Sequence, residues 1–310
     1  MTKKPKVSLI VLAYNGIDLT LEVLECISKL EVDGLNVETV VVDNASKDET
    51  FEKLKDYKLS NMPFKIIRNE KNLGFAGGNN VGIIDAIERK ADYIILLNND
   101  IYFTKEIVKV VVNEVLKDKK IGLISPKMYF AKGYEFHKER YKKEDLGKVI
   151  WYAGGIIDKD NVYSSHRGVD EIDKGQYDKQ EETDYASGAF VLLNSKLLKE
   201  IGLLDDKLFL YWEDADLSQR AKMAGWKVIY TSKTKLWHKV SVAAGGPGGE
   251  TNDYFLTRNR LVYGFRYMPL RTKFALIRDS IRLFILGRKW QKKGVIDFYL
   301  NRLGKGSRIK

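Results

Sequence analysis

The densest chemistry in the sequence lies in "FLYWEDADLSQRAKMAGW", residues 209–226, where Glu213, Asp214 and Asp216 stand directly behind Phe209, Tyr211 and Trp212. Acids at a helix start are favoured by the macrodipole, but one would suffice there. An acid partly withdrawn from water by an aromatic wall has a raised pKa, which suits a general base working near neutrality. Glu213 and Asp214 are the candidates. Asp216, four residues before Arg220, is spaced for an ion pair on one helix face.

Other polar clusters stand where apolar runs end. "VVVDNASKDET" delivers Asp43 and Asn44. Asp43 reads either as an Asx-turn, with Ser46 or Asp48 capping the next helix, or as a carboxylate that accepts hydrogen bonds from a nucleotide base or ribose. "YIILLNNDIYF" ends its apolar run in Asn98, Asn99 and Asp100, which form either a turn or a site with one carboxylate. Tyr14, Asn15 and Gly16 close "VSLIVLAYNG". His238, in "LWHK", is an ordinary surface or core residue if alone; beside a carboxylate and diphosphate oxygens it becomes a metal ligand. The stretch "NEKNLGFAGGNNVG" (69–82) permits close backbone approach and offers unpaired N–H groups at the start of the helix after it. Gly74, Gly77 and Gly78 lack the dinucleotide-binding spacing, and no P-loop lysine follows, which disfavours a dehydrogenase or an NTPase.

The elements that must position these residues are legible from periodicity. "VSLIVLAY" (7–14), "VETVVVDN" (37–44), "FKIIRNE" (64–70) and "DYIILLNND" (92–100) read as strands. Helical spacing in "IDLTLEVLECISKL", "ETFEKLKDY" and "NVGIIDAIERK" separates them. Strands apolar on both faces, alternating with helices, imply an α/β fold with a mostly parallel sheet between helices. Ligands of such sheets bind at the carboxyl ends of the strands, where the clusters converge. Further on, 132–148 reads as a charged loop, 149–158 and 185–194 as strands, "SKLLKEIG" and "EDADLSQRAKMAG" as helices, and "KVIYTSKTKLWHK" as a strand pair. Residues 242–251, rich in glycine, read as a mobile loop.

The chain has 310 residues and a net charge of +11, unevenly placed. From Arg258 onward fifteen Lys or Arg face two Asp, a balance of +13 that leaves −2 for residues 1–257. A near-neutral body argues against nucleic-acid binding and for a basic, helical extension over 258–310. That extension either packs on the body or meets anionic lipid headgroups. One cysteine, Cys26, excludes a disulfide framework and fits a reducing, cytoplasmic location. The apolar run after the first lysines is too short for a spanning helix and reads as a first strand.

The ordered set "VSLIVLAYNG", "VVVDNASKDET", "NEKNLGFAGGNNVGI", "YIILLNNDIYF", "YASGAFVLL" and "YWEDADLSQRAKMAGW" resembles glycosyltransferase family 2, in its rhamnosyltransferase-like branch, over about residues 5 to 265. "WYAGG" and the late "RNR" fit the same branch. The resemblance implies a GT-A fold over 1–257 and inverting transfer from a nucleotide-sugar donor, dTDP-rhamnose or a UDP-sugar. The acceptor would be a hydroxyl of a glycan or lipid-linked acceptor in cell-surface polysaccharide synthesis, placing the enzyme in the cytoplasm or at the inner face of the membrane. On the same resemblance Asp43 contacts the base, with Ala13, Tyr14, Asn15, Asn44, Asn72 and Gly74 around the nucleotide. Asn98, Asn99 and Asp100 take the place of the D-x-D triplet, Asp100 and His238 hold a divalent cation (Mg or Mn), and Ser187 and Gly188 lie by the diphosphate or acceptor. Asp214 is the base, beside Glu213. Asn98 departs from the triplet's first acid, so metal binding is expected to need the donor.

Overall fold

The structure, a computed structural model, describes residues 4–240 and 249–308. Strands form where both faces find apolar partners. β1 (Lys6–Ala13), α1 (Ile17–Ser28), β2 (Asn36–Asp43), α2 (Thr50–Leu54), β3 (Phe64–Arg68), α3 (Gly74–Glu88) and β4 (Tyr93–Asn98) alternate as expected. They are followed by β5 (Ile101–Phe103), α4 (Ile107–Lys117), β6 (Ile121–Phe130), β7 (Ile150–Tyr152), β8 (Gly155–Asp158), β9 (Tyr163–His166) and β10 (Glu181–Glu182). The remainder is β11 (Phe190–Asn194), α5 (Ser195–Ile201), α6 (Glu213–Met223), β12 (Lys227–His238), α7 (Glu250–Tyr267), α8 (Leu270–Leu286) and α9 (Lys289–Tyr299).

One sheet runs β10-β12-β6-β11-β4-β1-β2-β3, with β5 added to β12 and β7 to β6. Strands β3, β2, β1 and β4 are mutually parallel, and β6 is parallel to β12. Along β1, Val7, Leu9 and Val11 enter the core with α1 and α4, while Ile10 enters the opposite core beneath α3. β11 is antiparallel to both neighbours. Its start therefore lies at the edge where the parallel strands finish, which brings Ser187 and Gly188 to that edge.

Several expectations need correction. α3 begins at Gly74, not Asn80, because its glycines let the helix lie flush on β1. A Cβ at Gly78 would stand 2.6 Å from Leu12, and one at Gly82 would stand 2.6 Å from Ile10. Close packing here outweighs poor helix propensity. The supposed strand pair after Lys227 is one strand, β12, whose register against β6 shifts between Thr231 and Lys235. Pro126, opposite Thr231, has no N–H to continue the ladder. Residues 185–187 are irregular and 188–189 a turn, so β11 begins only at Phe190. The boundary expected after residue 257 falls inside α7, whose Arg258 and Asn259 are fully buried against the body. The glycine-rich loop lies outside the described residues up to 248. Among the described residues no helix is long and apolar enough to cross a membrane.

Candidate active site

Register alone aligns the first clusters: Ala13 pairs with Asp43, and Leu12 with Asn98. Asp43 is fully buried at the end of β2. One carboxylate oxygen accepts from the Ser46 N–H at 3.2 Å, the expected Asx-turn. The other lies 3.5 Å from Arg68 Nε and has no hydrogen bond. A buried carboxylate oxygen without a donor is costly, so the site has spare accepting capacity. The Arg68 guanidinium stacks over Phe51 at 4.3 Å, forming a cover beside it. Asn15, at φ 58°, ties the two loops together: its N–H donates to Ser46 Oγ at 2.8 Å, and its side-chain oxygen accepts from Lys47 N–H at 2.8 Å. Glu49, not Asp48, is the N-cap of α2; Asp48, one residue before it, accepts from Thr50 N–H at 3.0 Å and from Gly16 N–H at 2.8 Å. Tyr14, beside Asn15, is exposed.

Asn44 and Asn72 do something else. Asn44 Nδ2 donates to Asn72 Oδ1 at 3.1 Å and to the Gly74 carbonyl at 3.0 Å, while its oxygen accepts from Asn69 and from Leu73 N–H, each at 3.0 Å. This amide lattice fastens residues 69–74 to β2, and Asn44 is saturated within it. The N–H groups at the start of α3 are also occupied. Gly74 N–H donates to Asn72, and those of Phe75 and Ala76 donate to the Phe209 carbonyl at 2.7 and 3.3 Å. The expected free N–H cradle is thus filled by the chain itself. Gly74 is required there: its φ is +75°, and a Cβ would lie 2.4 Å from the Phe209 oxygen.

The three acids of α6 meet three different environments. Asp216 is spent on structure, taking Arg220 Nε at 2.8 Å, Arg266 Nη1 at 3.0 Å and the Tyr267 hydroxyl at 2.7 Å. Glu213 is buried with one oxygen unpartnered. Burial, and then the Asp214 charge, push its pKa well above the ordinary carboxylate value. Asp214 is half-buried, accepting from Gly188 N–H at 3.2 Å and from Ala215 N–H at 2.8 Å. Its pKa is raised by burial, though those N–H bonds oppose the shift. Gly188 itself lies between the Phe75 ring and Asp214, since a Cβ there would stand 3.1 Å from that ring and 3.8 Å from Asp214 Cβ. Ser187 is buried beside it, with its carbonyl near Ser125 Oγ.

The strand end of β4 connects to this group through Asn98 N–H, which donates to the Ala189 carbonyl at 3.0 Å. The side chain of Asn99 turns away to Thr20 Oγ1 at 3.2 Å. Asp100 and His238, 138 residues apart, meet at 3.0 Å through Oδ1 and Nε2, and both are buried. Adjacent ligands of one octahedral cation at about 2.1 Å stand about 3 Å apart, so the pair fits two positions around such an ion. Among the described residues no group of three His, Cys, Asp or Glu could hold a metal. A cation here would need most of its oxygens from a ligand.

The role of the "RNR" segment in the site was not legible in the sequence. Phe209, Tyr211 and Trp212, the approach to Glu213, all hold positive φ (67°, 66° and 73°). Asn259 Nδ2 donates to the carbonyls of Leu208, Leu210 and Tyr211 at 2.8, 2.8 and 2.9 Å, and Arg258 Nη2 to that of Leu208 at 2.9 Å. The left-handed loop that sets Asp214 is therefore clamped from α7. A motif some 45 residues away carries no spacing signal for this contact.

Residues 8–202 match the family model described as glycosyl transferase family 2. The chain is 23% identical over 188 residues to the low-salt glycan biosynthesis hexosyltransferase Agl10 of Haloferax volcanii, covering 60% of this chain and 53% of that protein. It thus spans about half the length of this curated relative. Among solved structures, GalNAc-T7 with UDP, GalNAc and Mn2+ superposes with a TM-score of 0.62 at 17% identity, over 97% of this chain and 58% of that one. The mannosyltransferase PcManGT from Pyrobaculum calidifontis, with GDP-Man and Mn2+, gives 0.56 at 15%, over 97% and 75%. S. aureus TarS 1–349 with UDP gives 0.54 at 19%, over 91% and 73%. These likenesses establish the GT-A fold.

Proposed function

The chain belongs to glycosyl transferase family 2, and we infer that it is an inverting glycosyltransferase acting in glycan synthesis. It would take a nucleotide diphosphate sugar and transfer the sugar to a hydroxyl of a glycan or lipid-linked acceptor. The observation that carries this reading is Asp214: a half-buried carboxylate with a raised pKa, held by Gly188 N–H at the edge where β1, β2 and β4 end.

In this reading the unpartnered oxygen of Asp43 accepts from an N–H of the donor's base, with Ala13 and Tyr14 along the nucleotide and Arg68 yielding its place. Asn15, Asn44, Asn72 and Gly74 act by fixing the loops around the nucleotide. Asp214 accepts the acceptor hydroxyl's proton as that oxygen attacks the anomeric carbon, and the bond to the diphosphate breaks with its electron pair leaving on phosphate oxygen. Burial, and then the Asp214 charge, favour the neutral form of Glu213, which would limit the negative charge beside the base. Asp100 and His238, with Asn98 nearby, would hold a divalent cation, Mg or Mn. When bound, such a cation neutralises charge on the departing diphosphate. The proteins with similar folds were crystallised with UDP, GDP-Man and Mn2+, which favours this donor class. Rhamnose remains one donor to test.

The experiment is a donor-hydrolysis and binding screen across UDP-, dTDP- and GDP-sugars, with and without Mn2+, repeated on Asp214→Asn. One donor class should be turned over by the native chain, and bound but not turned over by the variant. Full turnover in Asp214→Asn would remove the assigned base.

A further inference from the structure

The C-terminal helices are not equivalent. α7 is buried against the body, and α9 lies on α7, with Gly294 so near the Tyr254 carbonyl that a Cβ would stand 2.7 Å from it. α8 is attached along one side only. Its buried stripe is Thr272, Leu276 and Ser280. Leu276 packs against Gly264 of α7, and Ser280 Oγ meets the Tyr299 hydroxyl of α9 at 2.8 Å.

At about 100° per residue, Leu270, Phe274, Ile281, Phe284 and Ile285 fall within roughly 100° of arc, centred about 130° from the buried stripe. Their exposures are 72, 69, 54, 50 and 61%. A continuous stripe of large apolar side chains, each at least half exposed, marks an interaction surface. Arg271, Arg278 and Arg282 share one edge of the stripe, and Lys273 stands on the other. None of these four cations forms an ion pair among the described residues. The helix's one acid, Asp279, points away from the stripe and is paired with Arg260 at 2.6 Å. Two such faces would repel each other, so a second copy of the chain is a poor occupant. An anionic surface with an apolar interior complements both features.

We propose that α8 docks in the plane of an anionic phospholipid membrane, with Phe274, Ile281 and Phe284 in the acyl boundary and Arg278 and Arg282 at headgroup phosphates. The helix lies on the membrane without crossing it. This goes beyond the sugar-transfer reading and does not depend on it, because vesicle binding is measured without donor.

The test is co-sedimentation of the full chain with vesicles of phosphatidylcholine alone, or with about 30% phosphatidylglycerol, at low and high salt. The native chain should bind the anionic vesicles at least about tenfold more tightly, and more weakly as salt rises. Phe274→Ser with Phe284→Ser should weaken binding by at least about tenfold while leaving the melting temperature unchanged, since both side chains are exposed. Arg278→Gln with Arg282→Gln should erase most of the preference for phosphatidylglycerol. Undiminished binding of the double serine variant would overturn the proposal, as would no binding by the native chain. So would a native dimer that this variant dissolves without any vesicle binding.

Discussion

Replacing Asn259 with leucine keeps most of the bulk and removes the amide that clamps the loop before Asp214. Nδ2 has two hydrogens shared among the carbonyls of Leu208, Leu210 and Tyr211. Leu208 keeps Arg258 Nη2, so the substitution strips the carbonyls of Leu210 and Tyr211. It also leaves Arg258 Nε without its 2.9 Å acceptor. At about 1–2 kcal/mol for each of these three buried polar groups left unpaired, the loss is about 3–6 kcal/mol. Phe209, Tyr211 and Trp212 each hold a left-handed backbone at a cost on the order of 1 kcal/mol, so the loop relaxes more readily than the sheet unfolds. A shift of about 3 kcal/mol toward the relaxed loop lowers turnover roughly hundredfold. Nucleoside diphosphate release at saturating donor is the assay, with the donor KM and the melting temperature measured beside it. The expected result is a large fall in kcat, a donor KM within about threefold, and little change in melting. If the whole fold bore the loss, melting would fall by about 5 °C while kcat stayed intact. That outcome would refute the positioning role.

Gly74→Ala would force a Cβ against the Phe209 carbonyl at a positive φ, and should cost at least about 2 kcal/mol and most activity. Denaturant unfolding and turnover would check both. Glu213→Gln tests the buried acid. Because the native pKa lies well above the ordinary 4.5, the folded state holds an extra proton in the window between the two values, and stability falls as pH rises through it. The variant should therefore be more stable than the native chain at neutral pH, with the gain vanishing below about pH 4.5 in melting experiments. A gain that persists at low pH would contradict the burial account. Asp100→Ala should abolish the mutual enhancement between Mn2+ and a nucleoside diphosphate in calorimetry, which the native chain should show. Metal binding without nucleotide that survives the substitution would place the cation elsewhere.

The first half of the fold was readable because β1, β2 and β4 are buried on both faces and the helices between them on one, so composition and period carry the assignment. The strand ends were readable for the same reason: polar residues directly after "VVV" or "IILL" mark where the sheet stops. Residues 69–82 misled for a physical reason. Glycine signals a loop by propensity, yet here it is demanded by contact with Leu12, Ile10 and the Phe209 carbonyl. Asn44 and Asn72 carried the same ambiguity, since an amide that would suit a ligand suits a backbone equally well.

By itself, then, the sequence determined the strand–helix alternation of a mostly parallel sheet, the edge at which chemistry could occur, and the residue types present there. Short-range periodicity and turn chemistry are local properties. Only the tertiary structure decided which acid of α6 is reachable, that Asp100 meets His238, that Asn259 holds the loop before Asp214, and that α8 keeps a bare apolar face. Each of these depends on residues far apart in the chain and on which side of a helix finds a neighbour, and no local pattern encodes that.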